Sequence, residues 1–206
     1  MKVEMLLKGH LAVYSNCYGI LTENAAIVID PGKYTTEIAQ FLKSNSDKSR
    51  LILITHAHYD HIGGAKQLRE ETGVKIAIGK NEEFALSDIS YNLSGKFTPV
   101  ISPFNADYTI DDEEEFTVGD ITVKAYETAG HTKGGMIYLM NDCLFSGDIL
   151  FYETVGRVDL PGGNITDMKQ SLDRMMWLFD DETKVYSGHG EMTTIGHERQ
   201  FNPYLR

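Results

Sequence analysis

The chain has 206 residues, a formal net charge of −11, 42% apolar residues and 24% charged ones. That composition can bury a substantial core, and the acidic balance, with no Lys/Arg cluster against it, excludes broad attraction to nucleic acid or to anionic membranes. Charge interrupts Met1–Lys8 too early for a secretory signal, and runs such as Ala25–Ile29 and Leu51–Ile54 are far too short to span a membrane, so one cytoplasmic domain over residues 1–206 acting on a small molecule is expected.

In chain order, Leu11–Ile20 and Ala25–Ile29 read as strands joined in a hairpin around Thr22-Glu-Asn24. Asp30-Pro31-Gly32 then marks a turn. Thr35–Lys43 carries Ile38, Phe41 and Leu42 at helical spacing, and Leu51–Ile54 is a short apolar run that suits a strand covered on both faces. Ala65–Thr72 reads as a helix closed by Gly73, Val74–Ile78 as a buried strand, and Asn81–Asp88 as a further helix. From Ile89 to Ile110 the periodicity dissolves into Ser, Asn, Gly and Pro, the signature of a lid or binding loop. The acidic run Asp111–Glu115 reads as a solvated turn.

Phe116–Tyr126 alternates around Gly119-Asp120, and Met136–Met140 with Cys143–Phe145 gives a second hairpin. Thr166 is placed to cap a helix over Asp167–Phe179, whose Met168, Leu172, Met175, Met176 and Phe179 form an ordinary core stripe. Lys184–Tyr186 is a last short strand. Cys17 and Cys143 sit in apolar, strand-like surroundings and read as inert buried thiols. Two batches of strands, each punctuated by helices, point to two packed sheets with helices outside.

The chemistry lies at the ends of these strands. His56, His58, Asp60 and His61 occupy Thr55-His-Ala-His-Tyr-Asp-His61. His131, Asp148 and His189 follow in Ala-Gly-His-Thr, Phe-Ser-Gly-Asp and Ser-Gly-His-Gly. A lone histidine or aspartate is ordinarily a surface or hydrogen-bonded residue, and His10 and His197, which lack such context, are read so. Seven imidazole and carboxylate donors in short glycine-containing stretches after strands are another matter. They suit two divalent ions, zinc foremost, with iron or manganese also allowed. Extended backbone turns His56 and His58 to one side. Asp60 and His61 come after the chain begins to turn and can address a second ion, and Asp148 is a candidate bridge.

This pattern resembles the metallo-β-lactamase superfamily over nearly the whole chain, from Asp30 to His189. Within it, Leu144–Asn164 resembles the hydroxyacylglutathione hydrolase, or type II glyoxalase, branch, and Gly196-His-Glu-Arg…Asn202-Pro-Tyr-Leu205 is similar to its short bacterial members. The resemblance implies a four-layer αββα sandwich. It implies one ion on His56, His58 and His131, a second on Asp60, His61 and His189, and Asp148 between them, with Asp60 and Asp148 as the catalytic carboxylates. Asp30 would orient the ligand loops without being a ligand. Three departures stand out. Only 17 residues follow His189, so no C-terminal helical glutathione-binding domain is expected. Thr132-Lys133-Gly134-Gly135 replaces the commoner Thr-Pro-Gly-Ser. Arg157 stands near where longer members place a lysine.

The expected activity is hydrolysis of a thioester, S-D-lactoylglutathione or a related acyl-thiol, by hydroxide held between the ions, with Lys133 and Arg157 as candidate contacts for a substrate carboxylate. A persulfide dioxygenase-like enzyme with one iron on His56, His131 and Asp148 is the nearest rival, and a non-catalytic binding module is the alternative from another class. A nuclease is disfavoured by the acidic balance, and a β-lactamase by the segment Gly156-Arg-Val-Asp-Leu-Pro-Gly-Gly163.

Overall fold

Strand residues of alternating destination build two sheets back to back. The computed structural model describes residues 1–10 and 13–205. The first sheet runs in the order β1 (Lys2–Leu7), β2 (Cys17–Leu21), β3 (Ala25–Ile29), β4 (Ser49–Ile54), β5 (Lys75–Gly79) and β6 (Tyr108–Ile110). β1 to β3 are antiparallel and β3 to β6 parallel. The second sheet is assembled from β7 (Glu115–Val118), β8 (Ile121–Glu127), β9 (Met136–Met140) and β10 (Cys143–Gly147), with a separate two-stranded ribbon, β11 (Leu150–Phe151) and β12 (Thr154–Val155), after β10. β13 (Lys184–Ser187) pairs parallel with β10, and β14 (Thr193–Thr194) closes that edge.

Three apolar layers hold this together. Between the sheets, Ile27 and Leu53 meet Val123, Tyr138 and Phe145. On the outer face of the first sheet, Ile52, Ile54, Ile76 and Ile78 pack on Ile38 and Leu42 of α1 (Thr36–Ser44). The short turn α2 (Tyr59–Ile62) and α3 (Ala65–Thr72) add Ile62 and Leu68 to that layer. On the outer face of the second, Leu144 and Val185 pack on Met168, Leu172 and Met175. Thus Leu51 and Leu53 point inward while Ile52 and Ile54 point to the helices, the two-sided burial that a continuous apolar run requires. The layers are helix, sheet, sheet, helix, as the resemblance implies.

Several elements differ from expectation. The strand expected from Leu11 begins at Cys17; Leu11 and Ala12 lie outside the described residues. Asn81–Asp88 holds only a 3-10 turn, Glu83–Leu86, preceded by Glu82, whose side chain is buried. The stretch from Ile89 starts with one helical turn, α4 (Ile89–Asn92), capped by Asp88, and ends in β6. The helix α5 (Ile165–Leu178) is capped by Asn164, whose Oδ1 accepts from Thr166 N, and not by Thr166. Within the acidic run, Glu115 opens β7 and Asp112 pairs with Arg174. β1, the ribbon and α6 (Ile195–Phe201) went unpredicted. No helix among the described residues is long and apolar enough to cross a membrane.

Candidate metal centre

Four strands of the sandwich deliver the donors at their C-terminal ends. β4 leads into His56, β8 into His131, β10 into Asp148 and β13 into His189. His58 precedes the turn of α2, which carries Asp60 and His61, and His61 N donates to His58 O at 2.9 Å. Convergence demands small neighbours. A Cβ at Gly188 would stand 2.3 Å from Asp148 Oδ1 and 2.7 Å from His61 Cε1, so only glycine fits between those two donors.

The seven residues form one cluster in which His56, His58 and His131 make one group of close donor atoms, and Asp60, His61 and His189 another. His58 Nδ1 lies 3.1 Å from His56 Nε2 and 2.9 Å from His131 Nε2. His189 Nε2 is 3.1 Å from Asp60 Oδ2. Asp148 reaches both groups: Oδ1 is 3.3 Å from His61 Nε2, and Oδ2 is 3.6 Å from His131 Nε2 and 3.7 Å from His189 Nε2.

The surroundings fix which nitrogen of each ring is free to bind. His131 Nδ1 is 2.7 Å from the Arg157 carbonyl, which can only accept, so Nδ1 carries the proton and Nε2 its lone pair. His61 Nδ1 lies 2.8 Å from Asp30 Oδ2, with the same result. The Thr55 hydroxyl donates to Asp30 Oδ2 at 2.6 Å, so its oxygen is left to accept from His56 Nδ1, 3.2 Å away. Asp30 thus sets two tautomers, and it also accepts from Thr55 N at 2.7 Å. Three Nε2 lone pairs point into one buried space, which is how partners beyond the ligands preset a metal site.

Within the protein alone this arrangement is not satisfied. His58 Nδ1 has one proton at most to offer two facing lone pairs, and the buried His61 Nε2 and Asp148 Oδ1 have no hydrogen-bond partner. Divalent cations fit what these donors lack. Left to themselves, the carboxylates draw a proton onto His61, one that a cation at Nε2 would displace. Burial and the neighbouring imidazoles push His56 well down and His58 to about 3. Burial also opposes charge on His61, but Asp148, Asp30 and Asp60 outweigh it and hold His61 well above its ordinary value. Burial would raise Asp148, yet His61, His131 and His189 hold its carboxyl well below the carboxylate range. The carboxylates therefore need positive charge beside them, from imidazolium or from a cation.

Sequence reading missed Glu82. Its side chain is fully buried, with Oε1 accepting from Ala57 N at 3.2 Å and Oε2 from Gly134 N at 3.0 Å. It ties the backbone between His56 and His58 to the loop after His131. Burial pushes its carboxyl up to about 7, against the pull of those N–H donors. Nothing in the chain marks it, because its partners are backbone atoms of two loops far from it in sequence. The expected substrate contacts fare differently from the ligands. Lys133 is exposed and outside the pocket, and its N–H donates to Tyr91 Oη at 2.9 Å. Arg157 does line the pocket, but its guanidinium grips Asp159 at 2.6 and 2.7 Å, and its contribution to the cluster is the carbonyl on His131. His197 meets Glu153 at 3.0 Å, away from the cluster.

The donors open into a pocket of about 350 Å³ whose other walls include Tyr59, Leu93, Phe97, Phe151 and Leu160. An αββα sandwich that gathers imidazole and carboxylate at the C-terminal ends of its strands defines a metallo-hydrolase type of enzyme. The model of the metallo-β-lactamase superfamily matches residues 11–189, and the chain belongs to that superfamily. A probable metallo-hydrolase of Bacillus subtilis, YqgX, is 32% identical over 94% of this chain and 93% of its own length. The hydroxyacylglutathione hydrolase GloC of Haemophilus influenzae is 32% identical over 89% of this chain and 88% of its own. Among solved structures, the B3 metallo-β-lactamase BLEG-1 superposes with a TM-score of 0.89 at 32% identity, covering 99% of both chains. TTHA1623 in a di-iron-bound form gives 0.81 at 28% identity, covering 98% of this chain and 100% of that one.

Proposed function

We propose that this protein is a dinuclear metallohydrolase of thioesters, acting on S-D-lactoylglutathione or a related acyl-thiol. The observation that carries the reading is the set of seven donors with Nε2 of His56, His61 and His131 already turned inward. His56, His58 and His131 would hold one ion and Asp60, His61 and His189 the other, with Asp148 between them; zinc is the first expectation. Two such ions would supply a water made nucleophilic near neutral pH and positive charge for a developing oxyanion.

The residues of the pocket bear on the leaving group. Outside the donors, its ionisable side chains are Tyr59 and Arg157. Burial and Asp60 push the Tyr59 phenol above its ordinary value, and a guanidinium does not give up its proton. The phenol keeps its proton at neutral pH but is a weak acid there, so between these two groups a departing group finds no strong proton donor. A thiolate, with a parent pKa of about 8.5, departs without such help, whereas an amine does not. The thioester reading therefore fits this pocket better than an amide. GloC, a hydroxyacylglutathione hydrolase by name, supports the same choice by similarity. BLEG-1 keeps a β-lactam in the substrate panel. The test is hydrolysis of S-D-lactoylglutathione, simpler thioesters and a β-lactam by protein of known metal content. Turnover of a thioester is expected. Turnover of the lactam alone, or oxygen uptake on a persulfide without hydrolysis, would overturn the proposal.

A further inference from the structure

A second cavity, an open groove of about 800 Å³, adjoins the pocket, and Tyr59 lines both. Its lining includes Gly32 and Gly63, on the back of the turn that carries Asp60 and His61. Gly32 packs so closely there that a Cβ would stand 1.7 Å from the Asp60 carbonyl oxygen. The groove therefore begins one turn of backbone away from the donor cluster.

Its charges are unusual for this chain, which has 30 acidic residues to 19 basic ones. Lys33 and Lys66 both line it. Lys33 Nζ stands 5.5 Å from the Tyr14 ring centroid, and Lys66 Nζ donates to Pro103 O at 3.4 Å. Among the described residues neither makes a salt bridge, unlike Lys43, Lys75 and Lys184 but like Lys8, Lys48, Lys96, Lys133 and Lys169. Glu70 is the one carboxylate lining the groove. The pocket itself is the reverse case: its walls are apolar or aromatic, and its one cation outside the donors, Arg157, is held in both arms by Asp159. An anion remote from the reacting carbonyl finds two lysines without a salt bridge in the groove, where the pocket has only Lys96 beside its wall, with Nζ 5.1 Å from the Phe97 ring centroid.

We propose that this groove takes the anionic end of the thiol carrier. The substrate class is then an acyl thioester whose carrier bears a phosphate or carboxylate well away from the sulfur. The acyl group lies against Leu93, Phe97, Phe151 and Leu160, the thioester lies at the donors, and the carrier passes Tyr59 to meet Lys33 and Lys66. Ammonium groups act as point charges and serve either anion. The assignment rests on the thioester reading for what occupies the groove, but its binding test does not depend on turnover.

The metal-loaded full chain is titrated calorimetrically with S-methylglutathione, S-methylphosphopantetheine and neutral S-methylpantetheine; the S-methyl group keeps the sulfur from acting as a thiolate ligand. The anionic probes are expected to bind more tightly than the neutral one. Lys33→Ala with Lys66→Ala should weaken the anionic probes roughly 2- to 30-fold, the effect of two exposed charge contacts, and leave the neutral probe and the metal content unchanged. Glu70→Gln should tighten the anionic probes. The tighter anionic probe tells a phosphate carrier from a carboxylate one. In turnover, the double variant should raise KM for an anionic thioester with kcat unchanged, and hydrolyse S-acetyl-N-acetylcysteamine as the wild type does. Anionic binding indifferent to both lysines overturns the groove assignment, even if the short thioester is hydrolysed. Lysine-dependent binding without hydrolysis of any thioester sustains the groove and overturns the hydrolase reading.

Discussion

Replacing Asp30 with asparagine should disarm the centre while leaving the fold standing. Asp30 is buried and accepts three hydrogen bonds, from Thr55 N and Oγ1 and from His61 Nδ1. In Asp30→Asn the amide oxygen can keep the bond to Thr55 N, which puts the NH2 group against two groups that now donate. Relief requires His61 to move its proton to Nε2 and the Thr55 hydroxyl to turn towards His56 Nδ1. Each move takes a lone pair away from the site, on His61 and on His56. Partners of this kind are worth about 10- to 100-fold in metal affinity, or about 1.4–2.7 kcal/mol. The cost to folding, about 1–3 kcal/mol for a donor left facing a donor, is within the 5–15 kcal/mol typical of a domain. Metal affinity measured against a competing chelator, beside thermal melting and the imidazole nitrogen shifts that report tautomers, checks each step. Wild-type affinity with unchanged tautomers would refute the reasoning. Asp30→Ala, which strands all three donors, should fail to fold.

Other outcomes follow from the same geometry. Asp148→Asn removes the carboxylate that reaches both groups of donors, so it should lose bound metal and nearly all turnover, and two ions per chain at normal rates would contradict its role. Glu82 is raised to about 7 when folded, above its unfolded value of about 4.3. The folded protein then keeps a proton that the unfolded chain sheds, so this group's contribution to stability falls as pH rises from about 4.5 to 7 and is flat beyond. Glu82→Gln lacks that titration. In urea unfolding of metal-free protein, the wild type's advantage over the variant should therefore shrink across that window, by up to about 4 kcal/mol; a constant difference would show that Glu82 titrates normally. Tyr138→Phe removes a buried bond of 2.8 Å to the Ile54 carbonyl at the root of the first ligand loop. It should cost about 1 kcal/mol with metal content unchanged, and loss of metal would assign Tyr138 a larger part.

The donors were legible because coordination constrains residue type and spacing together. His56 to His61 can be read from six letters, and His131, Asp148 and His189 from the strands that precede them. The sandwich was legible from two batches of strands punctuated by helices, with apolar runs such as Leu51–Ile54 buried on both faces. What sequence reading lost depends on backbone. Arg157 acts on His131 through a carbonyl that every residue owns, while its conspicuous side chain is spent on Asp159. Glu82 looked like one more polar residue of a helix, because the N–H groups it serves come from Ala57 and Gly134, 25 and 52 positions away. β1 escaped notice because an edge strand with Lys2 and Glu4 on it shows only half-burial, and α6 because seven residues give too few turns for a periodic signal.

Elemental analysis of freshly purified protein, run on the same sample as the thioester assay, bears most directly on the dinuclear centre. Two divalent ions per chain, lost together with thioester hydrolysis in Asp148→Asn, is the predicted result. One iron per chain, with oxygen uptake on a persulfide and no thioester hydrolysis, would contradict it.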